Sequence, residues 1–128
     1  MAIIAPAILA TNPEDYEAQI SRLHGFAEHV HIDVTDGEFA QNLTVPETQV
    51  WWPKEWKADI HMMVARPSEH LSTIIQMNPN MVIFHAECEE DLVPIFRKLK
   101  AETLIKPGIA LLRSTVPELY ADAIREAE

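Results

Sequence analysis

The segment that decides the fold is residues 29–37, which read HVHIDVTDG. Apolar and polar residues alternate through this segment, and that pattern predicts a β-strand. His31 and Asp33 lie two residues apart, so their side chains point to the same face of the strand. A histidine and an aspartate make a poor lining for an apolar core. Asp36 and Gly37 follow as a turn, and we therefore expect both polar side chains near the C-terminal end of the strand.

Short apolar segments recur along the chain, and each is followed by a polar turn and a helical pattern. The predicted strands are residues 3–9, 30–34, 59–64, 81–86 and 108–112. The predicted helices begin at Asn12-Pro13, at Pro67, near Glu89 and at a capping-box sequence, Thr115–Glu118. Residues 46–57 predict a short aromatic-rich helix or turn. Strands that alternate with helices predict an α/β protein with a parallel sheet and right-handed crossovers.

Two architectures fit this alternation. One is an open, doubly wound sheet, which five strands would complete; the other is part of a (β/α)8 barrel, which five units would leave unfinished. The periodicity of the sequence does not choose between them. In both architectures the functional site lies at the C-terminal ends of the strands, so the residues found there are the candidates for chemistry.

Histidine and carboxylate side chains lie at these strand ends. Asp59, His61 and Met63 share one face of the third predicted strand. Because neighbouring parallel strands lie about 4.8 Å apart, His31, Asp33 and His61 can converge on one ion. Two imidazoles and a carboxylate are a usual ligand set for Zn²⁺, Fe²⁺ or Mn²⁺. The sequence therefore predicts a metal site formed by these three side chains.

The same residues also allow a purely structural interpretation. A single strand histidine is more often a satisfied core or surface residue than a metal ligand. An aspartate that precedes a glycine, such as Asp36, is typically a turn residue. The fourth predicted strand ends in His85-Ala86-Glu87, and spacing alone gives this pair no assigned role. Met62 is predicted to lie in the core.

Composition excludes several classes of function. The chain has 128 residues and a formal net charge of −10, which argues against binding to nucleic acid or to an anionic membrane. It leaves a phosphorylated substrate possible, since phosphate sites are built from backbone amides and helix N-termini. Cys88 is the single cysteine, and we expect a reduced, cytoplasmic protein. Residues 1–128 are predicted to form one domain.

Five segments resemble the motifs of a known family. They are PAIL at residues 6–9, HIDVTDGEFAQN at 31–42, HMMV at 61–64, HAE at 85–87 and GIAL at 108–111. In these segments the chain resembles the ribulose-phosphate 3-epimerases, and the matches run in order through almost the whole chain. The resemblance implies a partial (β/α)8 TIM barrel of about five parallel βα units, the N-terminal portion of a ribulose-phosphate-binding barrel.

The resemblance also implies an activity and roles for particular residues. The activity is metal-dependent epimerisation at C3 of a ketopentose phosphate, which exchanges ribulose 5-phosphate and xylulose 5-phosphate in the pentose phosphate pathway. By this resemblance His31, Asp33 and His61 are ligands of a divalent metal ion, and Asp33 is also one of two acid/bases. His61 and Met63 contact the substrate, with Met63 as an apolar cap. Ala7 replaces the family's serine, so a polar substrate contact is lost.

The chain departs from the family pattern in other respects. Thr35 replaces the methionine of the second strand, and the second catalytic aspartate, the fourth metal ligand and the phosphate loops of the family would lie further along the chain. We expect either part of a longer epimerase or a partial barrel whose sheet edges are covered by self-association into a homo-oligomer. Alternatives are a non-catalytic metal-binding or assembly module and an epimerase for a ketohexose phosphate. A related decarboxylase would need a lysine that the segment of residues 33–36 lacks.

Overall fold

A computed structural model describes residues 3–25 and 27–127. In this part of the chain the strands are β1 (Ala7–Ile8), β2 (His29–Thr35), β3 (Lys57–Met63), β4 (Met81–His85) and β5 (Lys106–Ala110). The α-helices are α1 (Pro13–Leu23), α2 (Leu71–Met77), α3 (Leu92–Glu102) and α4 (Ala121–Glu126). Short 3-10 turns lie at Glu47–Gln49, Pro67–Glu69 and Pro117–Tyr120.

The order of the strands decides between the two predicted architectures. Within the described residues, five parallel strands form one sheet in the order β1-β2-β3-β4-β5. A doubly wound sheet would reverse its strand order at a switch point, whereas a barrel adds each strand beside the previous one. The sheet is therefore a partial TIM barrel, as predicted.

The two faces of the sheet differ in composition and in cover. On β2, Val30, Ile32 and Val34 are buried, and they join one apolar core with side chains of α1, α2 and α3. We call this side the helix face. The alternate residues of β2, His29, His31 and Asp33, are only half-buried and lie on the opposite side, which we call the open face. Met62 is fully buried on the helix face, so its predicted place in the core is confirmed.

The first helix begins as the sequence predicts. Asn12 has extended backbone geometry, and its side chain accepts a hydrogen bond from the backbone N–H of Asp15 at 2.8 Å. Pro13 occupies the first helical position, where its missing N–H costs nothing. Tyr16 is buried against the core and donates its hydroxyl to the Trp51 carbonyl. Burial raises the Tyr16 pKa to about 12.

The capping box predicted at Thr115–Glu118 is wrong. The turn there begins after Val116, which makes no side-chain capping hydrogen bond. The Thr115 side chain instead lies near the Glu87 carboxylate and helps to lower its pKa.

The first strand is shorter than predicted. The apolar segment 3–9 pairs with β2 only at Ala7 and Ile8, and Ile3 and Ile4 are about 80% exposed. Within the described chain β1 has β2 as its one neighbour in the sheet. Just before Ala7 the Pro6 carbonyl accepts a hydrogen bond from the His31 N–H at 2.9 Å, and Ile3 and Ile4 lie outside the strand. Among the described helices, none combines the length and apolar character needed to cross a membrane.

Candidate metal centre

Parallel register brings the three predicted ligands together on the open face. Asp33 on β2 pairs with His61 on β3, and His31 lies one pleat earlier on β2. The Asp33 Oδ1 atom lies 2.9 Å from His31 Nε2 and 3.0 Å from His61 Nδ1. One donor atom from each residue lies within 4.8 Å of those of the other two. The three donor groups therefore lie together, as the sequence spacing predicts.

The charges of the group reinforce one another. Burial favours the neutral form of Asp33, but its interactions with the His31 and His61 rings outweigh burial and hold the carboxyl pKa well below its usual range. The hydrogen bond to Asp33 raises the pKa of His31, against a smaller opposing effect of burial. The negative charge of Asp59, which pairs with His31 in the sheet, raises it further. The centre is thus an ionised carboxylate between two imidazoles.

This donor set fits a divalent transition-metal ion. Imidazole nitrogen and carboxylate oxygen suit Zn²⁺, Fe²⁺ and Mn²⁺ alike. The side chains of His31, Asp33 and His61 are 30%, 18% and 19% exposed, so the donor atoms are held by the sheet yet reachable from solvent. The three side chains would hold the ion without filling its coordination sphere, so a further ligand could also bind it.

A chain of hydrogen bonds continues from the ligand group toward β5. The Nε2 atoms of His61 and His85 lie 2.8 Å apart, and the two rings stack with centroids 4.8 Å apart. His85 Nδ1 lies 3.3 Å from Glu87 Oε1. Glu87 Oε2 accepts from the backbone N–H of Leu112 at 2.9 Å. We call these contacts the His85–Glu87 relay.

Sequence reasoning did not assign the relay to the site. The signal that could have found it is the two-residue spacing of His85 and Glu87 at the end of β4, which repeats the spacing of His31 and Asp33 on β2. The diagonal contact from His61 to His85 depends on the stagger of the strands, since His61 pairs in register with Ile83. Pattern alone does not give that stagger.

A second polar cluster lies lower on the open face. Asp59 Oδ2 lies 2.7 Å from His29 Nε2, and Asp59 Oδ1 accepts from the Asn80 side chain at 2.8 Å. Both carboxylate oxygens of Asp59 are therefore engaged within the sheet. Of the two carboxylates Asp33 and Asp59, it is therefore Asp33 that belongs to the ligand group.

The turn after β2 is built on Asp36, as predicted. Its Oδ1 accepts backbone N–H bonds from Glu38 at 2.9 Å and from Phe39 at 2.8 Å. Its Oδ2 accepts from the N–H of Ala65, beyond the end of β3, at 2.8 Å. The turn places the Phe39 ring 5.0 Å from the His85 ring, so it lies over the relay.

The remaining predicted contact residues share the open face. Met63 lies one pleat beyond His61 and pairs with Thr35, while Ala7 on β1 pairs with His31. The Thr35 hydroxyl donates to the Asn42 carbonyl, and its backbone N–H donates to Thr44 Oγ1 at 2.9 Å. Thr35 is therefore tied to the following loop, and the substrate contacts of Met63 and Ala7 stay predictions.

Comparison with known proteins agrees with the geometry. A model of the ribulose-phosphate 3-epimerase family matches residues 3–127. This chain belongs to that family. It is 31% identical over 117 residues to the ribulose-phosphate 3-epimerase of Treponema pallidum, an alignment that covers 88% of this chain and 53% of that protein.

Other epimerases are similar to the same extent. The cytoplasmic isoform of Oryza sativa is 30% identical over 122 residues, covering 91% of this chain and 53% of its own length. The protein of Eremothecium gossypii is 33% identical over 139 residues, covering 97% and 56%. The chain thus spans about half the length of the curated relatives it matches.

Proposed function

We propose that this chain provides the metal-binding part and one acid/base of a ribulose-phosphate 3-epimerase that interconverts ribulose 5-phosphate and xylulose 5-phosphate. The observation that carries the proposal is the convergence of His31, Asp33 and His61 on one point of the open face. Family membership supports it independently. We further propose that residues 1–128 act as one domain, and that the protein works in the cytoplasm, as the name of the rice relative says of that protein.

Asp33 is the proposed acid/base. Its lowered pKa keeps the carboxylate ionised, which is the form that accepts a proton. A carboxylate of low pKa is a weak base, so the substrate C–H bond next to the ketone must be made more acidic for the transfer to be fast. A bound divalent cation would act as a Lewis acid toward the ketone oxygen and lower the cost of removing the C3 proton. His31 Nε2 and His61 Nδ1 both contact the same oxygen of Asp33, at 2.9 and 3.0 Å, and so hold the carboxylate in place.

Inversion at C3 needs proton transfer on both faces of the substrate. Asp33 serves one face, and the other carboxylates near it on the open face are engaged: Asp59 by His29 and Asn80, and Glu87 by the backbone of Leu112. We therefore propose that the second acid/base of the family comes from outside these residues. This chain alone would exchange the C3 proton with solvent without inverting the centre.

Metal analysis tests the ligand set. We expect one Zn²⁺, Fe²⁺ or Mn²⁺ per site in the wild-type chain, and strong loss of bound metal in Asp33→Ala and His61→Ala. The matched control is His70→Ala, which removes a half-buried histidine that pairs with Glu47 away from the site. Full metal occupancy in Asp33→Ala or His61→Ala would contradict the proposed metal site.

Deuterium exchange tests the proposed reaction. Ribulose 5-phosphate in D₂O should gain deuterium at C3 in the presence of the wild-type chain and metal, as read by proton NMR. Asp33→Asn should abolish this exchange, since the amide does not accept the proton. Formation of xylulose 5-phosphate by the isolated chain would refute the need for a second acid/base from elsewhere.

A non-catalytic assembly module is the second candidate, and one observation favours it. In the described chain, β1 pairs on one side only with β2, and β5 only with β4, so both outer edges are unpaired. Edges of this kind are templates for pairing with another chain. A chain that binds metal and self-associates, yet exchanges no C3 proton, would support this candidate over the epimerase.

A further inference from the structure

The His85–Glu87 relay fixes hydrogen-bond directions that end at the candidate metal centre. Its outer end is the Glu87 carboxylate. Burial opposes the charge of Glu87, but hydrogen bonds from Thr115 and Leu112 outweigh burial and lower the pKa of the carboxyl. An ionised carboxylate only accepts hydrogen bonds. The nitrogen that faces Glu87 Oε1, His85 Nδ1, is therefore the one that carries a proton.

The next link is the ring of His85, which is only 7% exposed. A neutral imidazole holds a single proton, and the contact with the Glu87 carboxylate places that proton on Nδ1. With that proton on Nδ1, the Nε2 atom is a lone-pair acceptor. His61 Nε2, at 2.8 Å, must then be the donor of that bond.

The last link is His61 itself. When its Nε2 carries the proton of a neutral ring, its Nδ1 presents a lone pair, 3.0 Å from Asp33 Oδ1. Two acceptors at that distance repel unless a positive charge, a proton or a metal ion, lies between them. The relay thus leaves the Nδ1 lone pair of His61 free to bind a metal ion.

We propose that His85 and Glu87 are positioning residues that fix the tautomer of His61, so that its Nδ1 lone pair faces the candidate metal centre. The inference rests on the proposed metal site and goes beyond its three ligands. Partners of this kind behind a ligating histidine orient the ring and set which nitrogen binds.

Glu87→Gln is the decisive variant, because it is the same size and reverses the relay. The single oxygen of glutamine is claimed by the Leu112 N–H, which leaves its NH₂ group facing His85 Nδ1. His85 would then donate from Nε2, and His61 would carry its proton on Nδ1, where it blocks the metal. We expect Zn²⁺ affinity, measured by competition with a chelator, to fall ~10–100-fold. The matched control is Glu89→Gln, an exposed carboxylate two residues on, with unchanged affinity expected.

Nitrogen-15 NMR of the imidazoles gives a readout that a merely structural role would not move. In the folded wild-type chain His85 should carry its proton on Nδ1, and zinc-loaded His61 should be ligated through Nδ1 and protonated on Nε2. A wild-type His85 protonated on Nε2 would overturn the inference whether or not the variant folds. So would a folded Glu87→Gln chain that binds Zn²⁺ as tightly as wild type. If the wild type binds no Zn²⁺, the proposed function fails, while the His85 tautomer still decides this inference.

Discussion

Asp36 is only half-buried, yet removal of its side chain should destabilise the fold more than is usual for a residue in such a position. Its carboxylate accepts backbone N–H bonds from Glu38, Phe39 and Ala65, so one side chain ties the turn after β2 to the end of β3. Substitution by alanine leaves all three donors without this acceptor. The N–H groups of Phe39 and Ala65 are in part-buried bonds, whereas that of Glu38 is exposed and can turn to water.

The magnitude follows from these three environments. A hydrogen bond to a charged group contributes about 1.5–3 kcal/mol, and less where water can replace it. We expect Asp36→Ala to lower the free energy of unfolding by about 3 kcal/mol, chiefly from Phe39 and Ala65. Asp36→Asn keeps the Oδ1 acceptor but turns an NH₂ group toward the N–H of Ala65, so its cost should be about 1–2 kcal/mol.

Urea unfolding followed by circular dichroism, in the presence of a chelator, measures both values. The control is Asp122→Ala, whose carboxylate is 85% exposed and pairs with Arg125 one helical turn away, with an expected change within about 0.5 kcal/mol. A loss below about 1 kcal/mol for Asp36→Ala would refute the reasoning.

Burial opposes ionisation of Asp36, but the backbone hydrogen bonds outweigh it and lower its pKa. Its contribution is therefore present above the ordinary pKa of aspartate and is lost as the pH falls through the lowered value.

Four further outcomes are expected. Asn12→Ala removes the cap of α1 and should cost about 1 kcal/mol in the same urea assay, whereas Asn12→Ser should restore most of it. Zn²⁺ affinity, measured by calorimetry, should rise with pH through the raised pKa of His31, because a protonated imidazole does not ligate; a flat profile would contradict His31 as a ligand. In a chelator the His31–Asp33 contact should stabilise the fold below the ordinary histidine pKa and lose that contribution as the pH rises through the raised value. Light scattering should find a homo-oligomer that covers the edges of β1 and β5, and a stable monomer would contradict that prediction.

Much of the site could be predicted because it depends on the period of a strand. A spacing of two residues places His31 and Asp33 on one face in any strand, and parallel pairing puts His61 beside Asp33 when the strands are in register. The choice of barrel over doubly wound sheet could not be read from periodicity, because both contain the same units. It needed the strand order, or the family motifs that the chain carries.

Two local predictions were wrong, the capping box at Thr115 and the length of the first strand. Thr115 satisfies the spacing of a capping box, but the helical turn begins one residue later, after Val116, and the spacing alone does not decide where the loop ends. The predicted first strand was too long because an apolar sequence does not pair by itself. Ile3 and Ile4 lie before the residues that pair with β2, and both are largely exposed.

The loops after the strands form a continuous belt, and this explains how five strands hold the site. Asp36, after β2, accepts from the N–H of Ala65, after β3, and the Ala65 carbonyl accepts from the N–H of Glu89, after β4, at 2.8 Å. Glu87 then accepts from Leu112, after β5, at 2.9 Å. Each loop is thus fixed to the next by a bond to backbone rather than by packing across a closed barrel. The ligand group and the relay depend on these bonds, and we therefore infer that their geometry is set locally, within the strands that carry them.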